Sequence, residues 1–133
     1  MSGRVISVVA ALIRDDAGRV LLVRKRGTGA FMQPGGKRDA GEDDVTALAR
    51  EIVEELGCRV VGDSARALGT FECPAANEPG FQLHAAVYRV DVEGAIAPCA
   101  EIDEMVWVDP TALPDLPLAP LTRDYVLPLA RAM

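Results

Sequence analysis

Three glutamates, Glu51, Glu54 and Glu55, fall at positions i, i+3 and i+4. At about 100° per residue a helix projects all three from one side. Like charges held this close repel one another and weaken the helix. A solvated acidic face is the plain explanation of any glutamate cluster, but the neighbours here argue for more. Val45, Leu48, Ala49, Ile52 and Leu56 recur at helical spacing and should be buried on the opposite side, which fixes where the glutamates point. Pro34, Gly35 and Gly36 come shortly before, and glycines let backbone approach a ligand closely and present carbonyls inward. Carboxylates and a carbonyl are hard oxygen ligands, a set that suits magnesium or manganese.

The same segment resembles the Nudix box. That pattern is a glycine, five residues, Glu, seven residues, Arg-Glu, an aliphatic residue, any residue, Glu-Glu, any residue, Gly and an aliphatic residue. The sequence reads Gly36, Glu42, then Arg50, Glu51, Ile52, Val53, Glu54, Glu55, Leu56, Gly57 and Cys58, with no gap. The one departure is Cys58, and cysteine packs as a small hydrophobe. The resemblance implies an α/β/α sandwich with a mixed central sheet. It also implies that Glu51, Glu54 and Glu55 bind divalent metal, Mg2+ or Mn2+, with the carbonyl of Gly35 as a further ligand. Arg50 resembles the family residue that orients a glutamate by a charge-assisted hydrogen bond. Glu42 is similar to an accessory acidic position.

In the family an additional metal ligand or general base often stands in a loop outside the box. Glu101 and Glu104 are the candidates, and Glu101 is preferred because it lies in a loop, whereas Glu104 opens a strand. The implied reaction is attack of water on phosphorus in a diphosphate. Metal ions neutralise the phosphate oxygens and lower the pKa of the water. Such chemistry needs mostly positioning and charge, so no nucleophilic Ser or Cys is required. The expected substrate is a nucleoside triphosphate, cleaved to monophosphate and pyrophosphate. One alternative is a nucleoside-diphosphate sugar such as ADP-ribose. A proline about sixteen residues past the box is associated with that activity in the family, and Pro74 falls there. Another alternative is a nucleotide-sensing module without activity. Loss of box glutamates would mark such a module, and here all are present.

Arg24, Lys25 and Arg26 end an apolar strand beside the glycine loop. Arg24 and Arg26, on one face, are candidates to grip substrate phosphates. Phe31 and Gln33 precede Pro34 and are candidates to line the pocket. His84, the only histidine, reads as structural, and Trp107 and Tyr88 as core.

Around these residues the sequence predicts a buried strand over 5–13, a turn at Asp15, Asp16, Ala17 and Gly18, and the second strand of a hairpin over 20–26. Residues 27–37 hold four glycines and a proline and read as a loop. A helix over 43–56 is closed by Gly57. A short strand is expected over 67–71, a loop over 73–80, and strands over 81–92 and 104–108. Residues 110–120 contain four prolines and are irregular. A closing helix over 121–132 is bent or shortened by Pro128.

Composition bounds the rest. The 133 residues fit one domain, 1–133, and half of them are hydrophobic. A net charge of −6 argues against a sequence-independent grip on nucleic acid. A small anionic nucleotide is not excluded, because bound cations reverse the charge of an acidic site. No apolar run approaches the length of a membrane span. The run 5–13 is broken by Ser7 and followed by Arg14, Asp15 and Asp16, so it reads as a strand and not a signal peptide. Three widely spaced cysteines read as free thiols of a cytoplasmic protein. Family members are often dimers, and the apolar stretch 113–121 offers a homodimer contact.

Overall fold

The computed structural model describes residues 4–113 and 115–133. Their elements run β1 (Arg4–Leu12), β2 (Val20–Lys25), β3 (Gly35–Lys37), α1 (Asp44–Leu56), β4 (Arg59–Val60), β5 (Arg66–Pro74), β6 (Phe81–Arg89), β7 (Val92–Glu93), β8 (Ile102–Val108) and α2 (Leu127–Arg131). A π-helical turn, Thr122–Val126, leads into α2.

β1 explains the architecture. Val9 and Ala11 pack with Ala47, Leu48, Ile52 and Leu56 of α1, while Ala10 and Leu12 pack with Val126, Leu127 and Ala130. A strand covered on both faces reads as an unbroken apolar run. β2 divides the same way, Leu21 and Val23 toward α1, Val20 and Leu22 toward the C-terminal helix. The main sheet has the order β3-β1-β6-β5. β1 runs parallel to β6 and antiparallel to β3, and β5 is antiparallel to β6. The result is an α/β/α sandwich around a mixed sheet.

Several local expectations change. The turn after Ile13 forms around Asp15, whose Oδ1 accepts from the N–H of Ala17 and Arg19. The hairpin beyond it is short: Arg14 and Val20 bridge antiparallel, with the N–H of Leu21 donating to Ile13 and that of Asp15 to Arg19, and β2 then pairs antiparallel with β8. A turn reverses the chain locally, but β2, apolar on both faces, takes the partner that keeps it between the two layers. The end of the expected loop 27–37 is β3, where glycines hide the strand but the edge of β1 supplies the ladder. β5 is longer than expected and takes in Cys73 and Pro74. The strand over 81–92 divides into β6 and β7, and β8 begins at Ile102. The closing helix is interrupted. Pro128 has no N–H to return to Asp124, and the N–H of Leu127 reaches five residues back to the Thr122 carbonyl.

Helix α1 starts where Asp43 accepts from the N–H of Thr46 at 2.8 Å. It ends at Gly57, whose φ of 72° lets its N–H close on Val53. Its first turn is tied to the sheet: Arg38 and Tyr88 both donate to the Asp44 carboxylate at 2.6 Å, and Arg38 also reaches Ser7. The buried stripe differs from the expected one. Val45 is 45% exposed, while Ala47 and Glu55 are buried with Leu48, Ile52 and Leu56. At about 100° per residue Glu55 falls inside the arc from Ala47 to Ile52, so it turns inward with them.

The stretch expected to offer a dimer contact is used internally. The N–H of Phe31 donates to Pro117, and the N–H of Ala119 donates to Phe31. Ala119 and Leu121 are buried, whereas Leu113 is exposed; Pro114 lies outside the described residues. No helix among the described residues is long and apolar enough to cross a membrane.

Candidate active site

The three glutamates grade from surface to interior. The side chain of Glu54 is 52% exposed, that of Glu51 15%, and Glu55 as a residue only 3%. Glu55 receives one weak hydrogen bond, from the N–H of Gly35 at 3.3 Å. Burial pushes its carboxyl up to about 7, against the opposing pull of Lys25 and the Gly35 N–H. Burial also raises Glu51, opposed by Arg50. β3 allows this closeness: a Cβ on Gly36 would stand 2.6 Å from the Glu51 carboxylate.

Arg50 ties these groups to the loop before α1. It donates to both oxygens of Glu42 at 2.8 Å, to Glu51 at 3.1 Å, to Glu54 at 3.3 Å and to the Lys37 carbonyl at 3.0 Å. The Arg50 guanidinium and the N–H of Asp39 hold Glu42 down to about 2. A planar donor fork meeting a carboxylate edge-on is the geometry in which such bonds are strong.

The outer glutamate is carried by a segment docked on the end of α1. The N–H groups of Ala97 and Cys99 donate to the carbonyls of Leu56 and Glu55, filling acceptors a helix end otherwise leaves open. Ala100 has a φ of 53°, uncommon for alanine. Glu101 follows and lines a cavity of about 400 Å³ together with Lys25, Gln33, Gly35, Gly36 and Glu51. Glu104 does not line it; it binds Arg24.

Two of the residues expected to grip substrate stand elsewhere. Arg24 donates to Glu104 and Asp103 at 2.8 Å and to the Thr28 carbonyl at 2.9 Å, so its donors are committed away from the cavity. Arg26 is exposed and holds the Glu101 segment, its backbone N–H donating to the carbonyl of Glu101 and its guanidinium to that of Ala100. Between them Lys25 faces the cavity. Strand alternation gives the reason, since Lys25 shares the face of Leu21 and Val23, the α1 side. A bulge opposite Arg24 and Lys25 leaves Asp103 as the extra residue beside the site. Phe31 is buried in the C-terminal core and does not line the cavity, whereas Gln33 does. His84, on β6, faces Glu72 at 3.3 Å, away from the cavity lining.

The cavity also brings in residues that the sequence did not single out as site residues. Ile6 and Val8 of β1, Leu83 of β6, residues 74–78, Lys37 and residues 119–121 complete its wall. They come from five separate segments, and apart from Pro74 nothing local in any of them marks a site.

The donor chemistry fits a divalent cation. Glu55 is a buried carboxylate with no direct ion-pair partner among the described residues, and a buried charge is stable only when compensated. Glu51, Glu54, Glu55, Glu101 and the Gly35 carbonyl form an all-oxygen set suited to a hard cation. Among the described residues, no three Asp, Glu, His or Cys side chains are already gathered closely enough to hold an ion. A cation at this set would share Glu51 and Glu54 with Arg50.

Comparison with known proteins agrees with this geometry. The family model for the NUDIX domain matches residues 4–129. A protein provisionally named 8-oxo-dGTP diphosphatase 2 from Mycobacterium tuberculosis is 32% identical, over 96% of this chain and 89% of its own length. An octanoyltransferase from Myxococcus xanthus is 40% identical over 86% of this chain, and the match spans 33% of that longer protein. The crystal structure of a MutT NUDIX hydrolase from Burkholderia pseudomallei superposes with a TM-score of 0.80 at 29% identity, covering 94% of this chain and 97% of that one.

Proposed function

This chain belongs to the Nudix family and is a pyrophosphohydrolase, and from that premise we propose that it cleaves a nucleoside triphosphate to the monophosphate and pyrophosphate with magnesium or manganese. The observation that carries the reading is the buried Glu55 behind Gly35, without an ion-pair partner among the described residues, next to a cavity lined by both charged and apolar side chains. About 400 Å³ is room for one small organic ligand.

Glu51, Glu54, Glu55, Glu101 and the Gly35 carbonyl are the groups to hold the cation. When bound, it neutralises phosphate oxygens and makes water more acidic. Lys25 and Lys37, both on the cavity wall, offset the remaining phosphate charge. Arg50, braced by Glu42, holds Glu51 and Glu54 in reach. Glu101, exposed at the wall, is the group to ligate or to take the proton of the attacking water, a reading its position on the cavity lining supports. Residues 1–133 act as one domain, because β1 and β2 are shared by both cores. The three free cysteines support a reducing compartment such as the cytoplasm.

A second reading, hydrolysis of a nucleoside-diphosphate sugar, is favoured by Pro74 on the cavity wall. One experiment separates the two: purified protein with magnesium is given nucleoside triphosphates, ADP-ribose and a phosphomonoester. The expected products are monophosphate and pyrophosphate. Monophosphate with a sugar phosphate selects the second reading. Preference for the monoester, or full turnover in excess chelator, overturns both. In the same assay Glu101→Gln should slow turnover more than Glu104→Gln, because only Glu101 reaches the cavity.

A further inference from the structure

Gln33 and Thr122 form a buried polar pair at the cavity wall, and the pair has a direction. The Thr122 hydroxyl, with no exposure, donates to Gln33 Oε1 at 2.7 Å. Gln33 itself is 8% exposed and borders the cavity. Its carbonyl oxygen is therefore engaged from behind. Its Nε2 has no partner among the described residues, yet is not among their sealed, unsatisfied atoms, so it opens on the cavity. A primary amide held this way by its oxygen turns its donor toward the cavity.

The surroundings say what kind of acceptor it meets. Ile6, Val8, Leu83 and Leu121 give this cavity apolar walls, the charged groups Lys25, Lys37, Glu51 and Glu101 belong to the phosphate-handling site already described, and Asn77 and Glu78 stand on the remaining lining. A buried neutral donor beside apolar walls matches a neutral acceptor on the edge of a flat ring. Thr122 is positioned for the task by the interlocking of Phe31 with Pro117 and Ala119, which brings the start of the C-terminal helix against Gln33.

Building on the triphosphate reading, we propose that Gln33, oriented by Thr122, selects nucleobases carrying a keto oxygen over those carrying an amino group at the same position. A keto oxygen accepts from Nε2. An exocyclic amino group brings a second donor, leaving two donors face to face and unpaired in a closed site. Leaving such a group unsatisfied typically costs about 1–3 kcal/mol, roughly a tenfold to hundredfold preference.

The test uses binding and turnover side by side, so that the two ideas fail separately. Calorimetric binding of GMP, IMP, AMP and 2-aminopurine riboside monophosphate decides the inference. Turnover of the matching triphosphates decides the proposed activity. GMP and IMP should bind at least tenfold tighter than AMP and the 2-aminopurine analogue, which lacks the 6-oxo group of GMP and, with it, the N1 proton. Thr122→Ser keeps the hydroxyl and should keep the preference. Thr122→Val frees the amide to turn over and should flatten it, as should Gln33→Leu. Gln33→Glu, an acceptor, should reverse it toward AMP. Melting curves confirm that each variant is folded. Equal binding of the four monophosphates by the unaltered protein, a preference for AMP, or a GMP preference untouched in Gln33→Leu and Thr122→Val overturns the proposal whatever the turnover results. Keto-selective binding without triphosphate hydrolysis upholds it and removes the proposed reaction instead.

Discussion

Glu55 combines burial with a carboxylate, and the consequence can be read in stability against pH. Its carboxyl sits at about 7 in the fold against an ordinary 4.5. Between those values the unfolded chain has released this proton and the folded chain has kept it, so metal-free stability is full below about 4.5 and falls as pH rises through about 7. The loss is on the order of 3 kcal/mol at most. Glu42 runs the other way. Held down to about 2 by Arg50 and the Asp39 N–H, it contributes above the ordinary carboxylate range and loses that contribution as pH falls. Glu55→Gln should therefore raise the metal-free melting temperature, by more at about pH 8 than at about pH 5. Its turnover should fall about a hundredfold, as expected for lost electrostatic stabilisation. An equal shift at both pH values would show that the fold does not hold this proton. The types of the acidic residues were legible in the sequence, and their depth was partly so. The helical arc places Glu55 with Leu48, which the assumption of an opposed apolar face concealed. Lys25 was not legible over Arg24 and Arg26, because Val20, Leu21, Leu22 and Val23 are all fully buried and leave no polar alternation to set the phase.

At the level of elements, β3 is three residues long and two of them have separate duties. Gly35 has a φ of 145°, and a Cβ there would stand 2.2 Å from the Val9 carbonyl oxygen, which is backbone and cannot yield cheaply. The contact at Gly36 is with the carboxylate of Glu51, the end of a side chain that can turn away. Gly35→Ala should cost several kcal/mol, on the scale of backbone strain and overpacking together. Gly36→Ala should leave the melting temperature nearly unchanged while weakening magnesium binding, measured by calorimetry. A large stability loss at Gly36 with intact metal affinity would contradict this division. Sequence reading found the glycines but not the strand, since glycine suppresses every strand signal and the pairing is supplied by β1. It found α1 to within a residue, because Asp43 and Gly57 are both strong local stops.

The whole molecule has two apolar clusters that share β1 and β2 between them. Neither can be lost while the other keeps its strands. Leu48→Ala on the α1 side and Leu127→Ala on the other should each cost about 2–5 kcal/mol. Both should shift one common transition. Trp107, the single tryptophan, packs on the α1-side cluster, so its fluorescence reports that side alone. In Leu127→Ala its transition should still move together with the far-UV circular dichroism; separate midpoints would mean two independent units. The sandwich class was readable from strands mixed with two helices and from the family resemblance. The order of strands was not, because β2 joins β8 and β1 joins β6 across long stretches of chain that no local pattern records.

That parallel pairing of β1 with β6 has a consequence in time. Its register sets Arg4 opposite Phe81 and Leu12 opposite Arg89. A ribosome adding about 5–20 residues per second takes roughly 4–15 s to travel from one partner to the other. Throughout that interval the edge of β1 that will meet β6 has no native partner. Both strands that later join the two cores share this wait, since β2 meets β8 only when Val20 reaches Val108 and Lys25 reaches Ile102, and until then their apolar runs are open to the wrong neighbour.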